Sequence, residues 1–416
     1  MRILFVLALL TFFSCAYSQD MAKFSVSPVE GAGASAVALP LDGIDFNTDD
    51  HQLVLYKKGS DGLEKIASQL EAGARAVLWF LFDNSDGEAE YLLRREDVEE
   101  GVRGLLRFKK SEGYVTLMDG ESPVLRYHHS EVMPPDGVDP VFRRSAFIHP
   151  LWSPGGEVLT RIQPEDHYHH YGIWNPWTRT VIDGQYVDFW NLGGGQGRVK
   201  SAGYLGMVDG PVYTGFRVHQ EHVAYMDEGS DNETIALNEL WDVRVWETGH
   251  DAVSVVDLTT TLNTPLERGI LFEAYRYGGG IGFRGTENWH AHNSTALSSE
   301  GITRDEIDGT GARWVIVEGE SSVPEGSSGI LFLSHPGNRM HPEPVRMWAT
   351  GHNQGRENVF MNFCPIRHND WMIEPGRDYT LRYRMVVFDG KMEPGEAERF
   401  WRSFAVAPGV KITGLQ

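Results

Sequence analysis

The sequence predicts an all-β protein: a large antiparallel β-sandwich, preceded by a small N-terminal β unit and followed by a short C-terminal helix. Three observations carry that prediction. Turn signals and 46 glycines recur between short apolar or alternating runs, as in sandwiches and barrels and unlike alternating β and α units. The longer runs alternate with period two, and amphipathic helical patterns are scarce. Neither an internal repeat of solenoid or propeller period nor a low-complexity tract interrupts them.

The chain opens with Arg2, an apolar run over residues 3–13, and the small residues Ala16 and Ser18 at the spacing a signal peptidase reads. This predicts a signal peptide over residues 1–18 and a periplasmic destination. The run falls short of the roughly 20 residues a membrane helix needs, and no later stretch approaches that length, so no membrane span is expected. Phe13-Ser14-Cys15 also reads as a loose lipobox, an alternative in which a lipid on Cys15 anchors the chain. If Cys15 leaves with the signal, Cys364 is the lone thiol and no disulfide framework exists. A chain of 416 residues with 41% hydrophobic content can rely on its core instead.

Residues 52–56 and 76–82 read as strands of the N-terminal unit, residues 19–111, which ends where Lys109, Lys110, Ser111, Glu112 and Gly113 break the apolar pattern. The main domain is then residues 112–416. Its clearest strand covers residues 235–246, with Ile235, Leu237, Trp241, Val243 and Val245 on one face and Asn238, Asp242 and Arg244 on the other. Residues 253–262, 270–277, 329–333 and 379–388 follow suit; in the last, Leu381, Tyr383, Met385 and Val387 alternate with Arg382 and Arg384. A helix opens near Pro394, where proline suits the first turn, and carries Phe400, Trp401 and Phe404 at helical spacing.

The formal charge of −21 argues against a nucleic-acid partner or an anionic membrane surface, which reward a basic face. An anionic substrate must therefore be small and be met by a local cluster of arginine and histidine. The densest such cluster is Asp166-His167-Tyr168-His169-His170-Tyr171-Gly172-Ile173-Trp174. In an extended conformation His167 and His169 share one face, and Tyr168 and His170 the other. Two imidazoles on one face can ligate a divalent metal if a third group arrives from elsewhere. They can also hold a sugar or move protons. A single histidine is more often structural, but titratable groups this concentrated gather at working sites.

Glu239 lies on the apolar face of the 235–246 strand, where a carboxylate is costly unless it meets an arginine or lines a cavity. Along Glu273-Ala274-Tyr275-Arg276-Tyr277, alternation sets Glu273, Tyr275 and Tyr277 on one face and Arg276 on the other; three glycines and then Phe283-Arg284 follow. Trp174, Trp177, Trp190, Trp289 and Trp348 fall near histidine or arginine, and such amphipathic rings suit sugar C–H faces. Further candidates are Arg144, His149, His335, Asn338, Arg339, His341 and Arg346.

These motifs, in this order, resemble a bacterial family often labelled methane-oxygenase-like. The resemblance rests on Ile148-His149-Pro150-Leu151, Ser153-Pro154-Gly155-Gly156, the histidine-rich segment, Val187-Asp188-Phe189-Trp190, Tyr277 with its glycines, the His335-Pro336 loop and Arg382-Tyr383-Arg384, and covers residues 112–405. Nothing in these residues suggests a membrane copper enzyme. The family is similar to galactose-mutarotase-like β-sandwich proteins and includes an ulvan-oligosaccharide dehydratase. That implies a hydro-lyase removing water from a non-reducing-end uronic acid of an anionic oligosaccharide. A mutarotase or epimerase and a non-catalytic sugar-binding protein are the alternatives.

Uronate elimination needs a neutralised carboxylate, a base for the C5 proton and an acid for the departing C4 oxygen. The expected site is His169 or His170 as base, Tyr277 as acid and His149 beside them. Arg276 or Arg284 takes the carboxylate, Glu239 or Glu273 orients the histidine, and His335 and Trp174 line the sugar. No cofactor is required in this scheme; a divalent metal through His167 and His169 is the alternative. The family's usual His-Pro-His-His-Arg-Gly is altered here by Tyr168 and Tyr171, so a cationic residue is lost and anion recognition must come from elsewhere. A hydrolase pairing Glu239 with Glu273 would depend on their separation.

Overall fold

Alternating side chains build two large antiparallel sheets that share one core. The computed structural model describes residues 18–44, 51–98, 104–175, 177–226, 232–351 and 358–415. The expected signal peptide, apart from Ser18, and Cys15 lie outside the described residues. The eight-stranded sheet runs in the order Gly197–Val208, Tyr213–Tyr225, Glu233–Trp246, Val253–Asn263, Tyr379–Asp389, Ser327–Ser334, Trp314–Glu320 and Ser294–Ser298. The nine-stranded sheet runs Gly311–Ala312, Glu343–Met347, Phe360–Phe363, Gly282–Arg284, Ile173–Trp174, Phe147–Leu151, Ser122–His128, Tyr114–Asp119 and Leu106–Lys110. Leu237, Trp241 and Val243 of the first meet Ile148, Ile173, Phe283 and Met361 of the second in the main core. The expected all-β class, the antiparallel sandwich and the C-terminal helix are all present.

A separate core of Met21, Phe24, Leu55, Phe80 and Tyr91 supports the N-terminal unit. Its larger sheet holds Ser18–Ser27, Ala89–Asp97, His51–Gly59 and Gly62–Ile66, and is completed by Gly409–Leu415 from the far end of the chain. Leu106–Lys110, upstream of the expected boundary, pairs with Tyr114–Asp119 in the sandwich. The unit rests on the outer face of the eight-stranded sheet. There Trp79 packs with Tyr213, Trp246 and the helix Pro394–Ala405, and Gln69 Oε1 accepts from the Val212 and Tyr213 amides at 3.1 and 3.0 Å.

That cover changes the simple alternation read from sequence. In Tyr379–Asp389 both faces are buried, because Val386 and Phe388 pack under the helix. Arg384 is buried as well and is held by Asp257 at 2.6 and 2.9 Å. Ile235 does not share the inner face with Leu237 as expected. A register shift opposite His222 and Val223 inserts one extra residue, Ala236, and turns Ile235 outward to 39% exposure. The expected strand over 270–277 stops at Phe272, and the positive φ values of 109°, 74° and 57° at Gly278, Gly279 and Gly280 turn the chain back over the sheet. No helix of the described residues is long and apolar enough to cross a membrane.

Candidate active site on the outer face of the nine-stranded sheet

Strand register decides which side chains share this face. Ile148, Ile173, Phe283, Met361 and Met347 lie side by side and point into the core. Period two therefore sends their neighbours outward. Phe147, Trp174, Asn362 and Arg346 form one outward row; His149, Gly172, Arg284, Phe360 and Trp348 form the next. Asn362 spends its amide on the glycine loop, donating to the carbonyls of Gly279 at 2.7 Å and Ile281 at 3.1 Å and accepting from the Gly278 amide at 3.2 Å. This fixes Tyr277 above the sheet.

The histidine-rich segment crosses the same face as successive turns, not as the expected strand. The His167 amide donates to the Pro164 carbonyl at 2.8 Å and the His170 amide to the His167 carbonyl at 3.0 Å. The coiling replaces the expected two-faced division with convergence. Ring centroids are 4.6 Å apart for His167 and His170, 5.3 Å for His167 and His169, and 4.7 Å for His169 and His170. Ligand nitrogens from all three lie within 4.8 Å of one another. His170 is enclosed by Trp174, Trp190, Trp348 and Phe360, whose ring centroids lie 5.2–5.8 Å away. His167 and His169 remain half-buried.

Behind the trio stands an ion-paired support. His167 Nδ1 lies 3.0 Å from Asp166 Oδ2, and the fully buried Arg284 donates to both oxygens of Asp166 at 2.9 and 3.0 Å while its guanidinium sits 4.8 Å from the Trp348 ring centre. Burial pushes the Asp166 carboxyl up, but His167 and Arg284 outweigh it and hold the acid well below the usual carboxylate range. Burial, with His167 beside it, lowers His169 to about 3. Burial, with His169 and Arg284 close by, takes His170 well below an ordinary imidazole. Both rings are neutral at physiological pH, with nitrogen lone pairs available.

Tyr277 faces this cluster from across Trp190, 5.2 Å between centroids. Its oxygen accepts from Arg346 Nη2 at 2.6 Å and Trp348 Nε1 at 3.1 Å. Arg346 is itself held by Asp308 at 3.0 Å. With two donors on the phenol oxygen, the hydroxyl proton is the hydrogen bond that Tyr277 has left to offer. Arg276 is exposed, and its guanidinium lies 5.3 Å from the Tyr277 ring centre.

The structure thus brings together His167, His169, His170, Trp174, Tyr277, Arg276 and Arg284. Arg284 faces Asp166 and not solvent, so its place is support and not the expected contact with a carboxylate. His149 shares the face but is set apart: its Nδ1 bonds Thr160 Oγ1 at 2.9 Å, and it lines a cleft with Arg161, Thr286 and Glu287. Burial there lowers its imidazole to about 4. Glu273 sits at the rim, 3.2 Å from Arg179, and among the described residues it makes no hydrogen bond or ion pair to the three histidines.

Two expected residues lie elsewhere. Glu239 is in the main core, where His222 at 2.6 Å, Thr260 at 2.6 Å, Trp241 at 2.6 Å and Asn175 all donate to it. Burial drives its carboxyl up and these donors more than offset that, holding it below its ordinary value. It meets a histidine where an arginine or a cavity was expected, and it anchors Asn175, the residue after Trp174. His335 is on the far side of the molecule, 5.3 Å from Phe404 of the helix, with Nδ1 accepting from the Gly337 amide at 2.9 Å. Asp166, within the cluster, and Arg346, among the further candidates, had no task in the expected site, and Phe360 was not among the candidates. The alternation of Arg346 with Val345 and Met347 is the signal that places it on this face.

No curated protein matches the sequence at a significant level. Among solved structures, the chain is similar to an alpha-mannosidase from Enterococcus faecalis, with 11% identity and a TM-score of 0.40 over 95% of this chain and 46% of that one. It therefore spans less than half the length of that mannosidase. It is also similar to a galactose mutarotase related enzyme from Lactobacillus acidophilus, with 8% identity and a TM-score of 0.28 over 69% of this chain and 100% of that one. Residues 114–402 match the model described as Family of unknown function (DUF6807), and the chain belongs to that family.

Proposed function

We propose that this protein is a carbohydrate-active hydro-lyase that removes water from a non-reducing-end uronic acid of ulvan-type oligosaccharides, leaving an unsaturated uronyl residue. The observation that carries the reading is the juxtaposition around Tyr277. A phenol with its proton to give, an exposed guanidinium and a group of neutral imidazoles stand together among indole and phenyl rings. Arg276 pairs with the sugar carboxylate, a task that suits a planar two-pronged donor. The C5 proton passes to the ring nitrogen of His169, the half-buried imidazole that a sugar can approach; His170, walled in by rings, supports it. The electron pair of the C5–H bond becomes the second bond of C4=C5 as the C4–O bond breaks. Tyr277 gives its proton to the departing hydroxyl, which leaves as water. Arg346 and Trp348 hold the charge left on the phenol oxygen.

The test uses tag-free protein and saturated uronate–rhamnose oligosaccharides. Ultraviolet absorbance of the conjugated product should rise, and Tyr277→Phe should slow the rise by roughly 10²–10⁴-fold, the usual contribution of a general acid, with its melting temperature unchanged. Absence of any rise with the unaltered protein would sink the lyase reading. A Tyr277→Phe variant at full rate would remove Tyr277 from it.

A further inference from the structure

The geometry points to a divalent-metal site at His167, His169 and His170, built for a nitrogen-preferring ion of the zinc type. The three ligand nitrogens already lie within 4.8 Å of one another. Tetrahedral Zn–N bonds of about 2.0–2.1 Å put nitrogens roughly 3.4 Å apart, a gap that small ring rotations close. Three imidazoles with a fourth position open is the composition of a catalytic zinc site. Magnesium and calcium, which require oxygen ligands, find none within the trio.

Two further observations point to an ion. His170 is 1% exposed and its Nδ1 has no hydrogen-bond partner; a buried polar nitrogen left so is uncommon and costly. The Asp166 carboxylate lies 3.0 Å from His167 Nδ1, near enough to steer that ring as carboxylates steer metal-bound histidines. Arg284 fixes Asp166 in turn.

His170 closes the site on the inner side, whereas His167 and His169 are half-buried, so the open position looks outward toward Tyr277. Three neutral ligands leave the full charge of the ion in place. In a chain of net charge −21 that is a strong local attraction for an anionic sugar. The consequence for turnover rests on the lyase reading: with the His169 lone pair given to the ion, hydroxide formed from the ion's acidified water would take the C5 proton on that side and become water.

Tag-free protein is stripped with EDTA and titrated with zinc alone by calorimetry, and with cobalt alone by visible absorption. The expected result is one equivalent of each, with the d–d bands of a low-coordinate cobalt centre. His169→Ala should lose the bands, and Asp166→Asn should weaken zinc binding by roughly 10–100-fold. The cobalt spectrum of the unaltered protein stands even if a variant misfolds. A stripped protein that binds neither ion overturns the inference. Metal binding without turnover of uronate would refute the lyase and leave the site; turnover at full rate in EDTA would refute the ion's part in turnover and leave the lyase.

Discussion

Glu343 is the buried carboxyl that reaches from one sheet of the sandwich to the other. Tyr383 donates to Oε1 at 2.7 Å, and Ser334 and Asn338 donate to Oε2 at 2.8 and 3.2 Å. Burial nonetheless pushes the carboxyl up, from 4.5 to about 7, despite these donors. A folded-state value above the unfolded one favours the protonated acid in the native protein. Its contribution is complete below about pH 4.5 and is lost as pH rises through 7. The difference is worth about 3 kcal/mol. Urea unfolding between pH 4.5 and 8 should show that loss, and Glu343→Gln should flatten it; parallel profiles for the two proteins would contradict the assignment. The sequence did not mark Glu343, because its cost arises from burial, and the facing strand that buries it, with Tyr383 40 residues on, comes over it only in the fold. Glu239 was legible for the opposite reason: it stands on an apolar face within its own strand. The trio was legible because its members are contiguous, and only their division between two faces was misjudged. His335 was misplaced because a loop's local residues do not say which side of the molecule it joins.

At the scale of elements, the site depends on backbones that approach closely. Gly172 has φ of +64°, and a Cβ there would lie 2.4 Å from the Ile148 carbonyl oxygen and 3.1 Å from His149 Cβ. It joins the histidine turns to the sheet. Gly172→Ala should therefore cost about 2 kcal/mol or more through strain and strand separation, read as a lower urea midpoint. An unchanged midpoint would mean that the turns adjust without the sheet. The strands of the eight-stranded sheet were largely readable from period two. The sheet that carries the site was not, since Ile173–Trp174 and Gly282–Arg284 are too short to show a period. Their faces emerge only once neighbours fix the register.

For the whole molecule, the closing contact is the pairing of Gly409–Leu415 with Ser18–Ser27, from Ala22 opposite Leu415 to Ser27 opposite Gly409. Composition and patterning predicted a small unit ahead of the sandwich but could not show that its sheet borrows a strand from beyond the helix. Removing residues 409–416 should leave the Ser18–Ser27 edge with unpaired amides and carbonyls, an invitation to pair with another chain. Light scattering should then show self-association at concentrations where the full chain is monodisperse. Equal scattering from both would mean that the strand is dispensable.

That same pairing sets an order of events during synthesis. At ordinary elongation rates the ribosome needs roughly 20–80 s to travel between the two strands. Throughout that interval Ser18–Ser27 has no partner on one side. That edge is sealed only after the helix Pro394–Ala405 has been made, and holding chaperones have a natural place to act along the waiting strand.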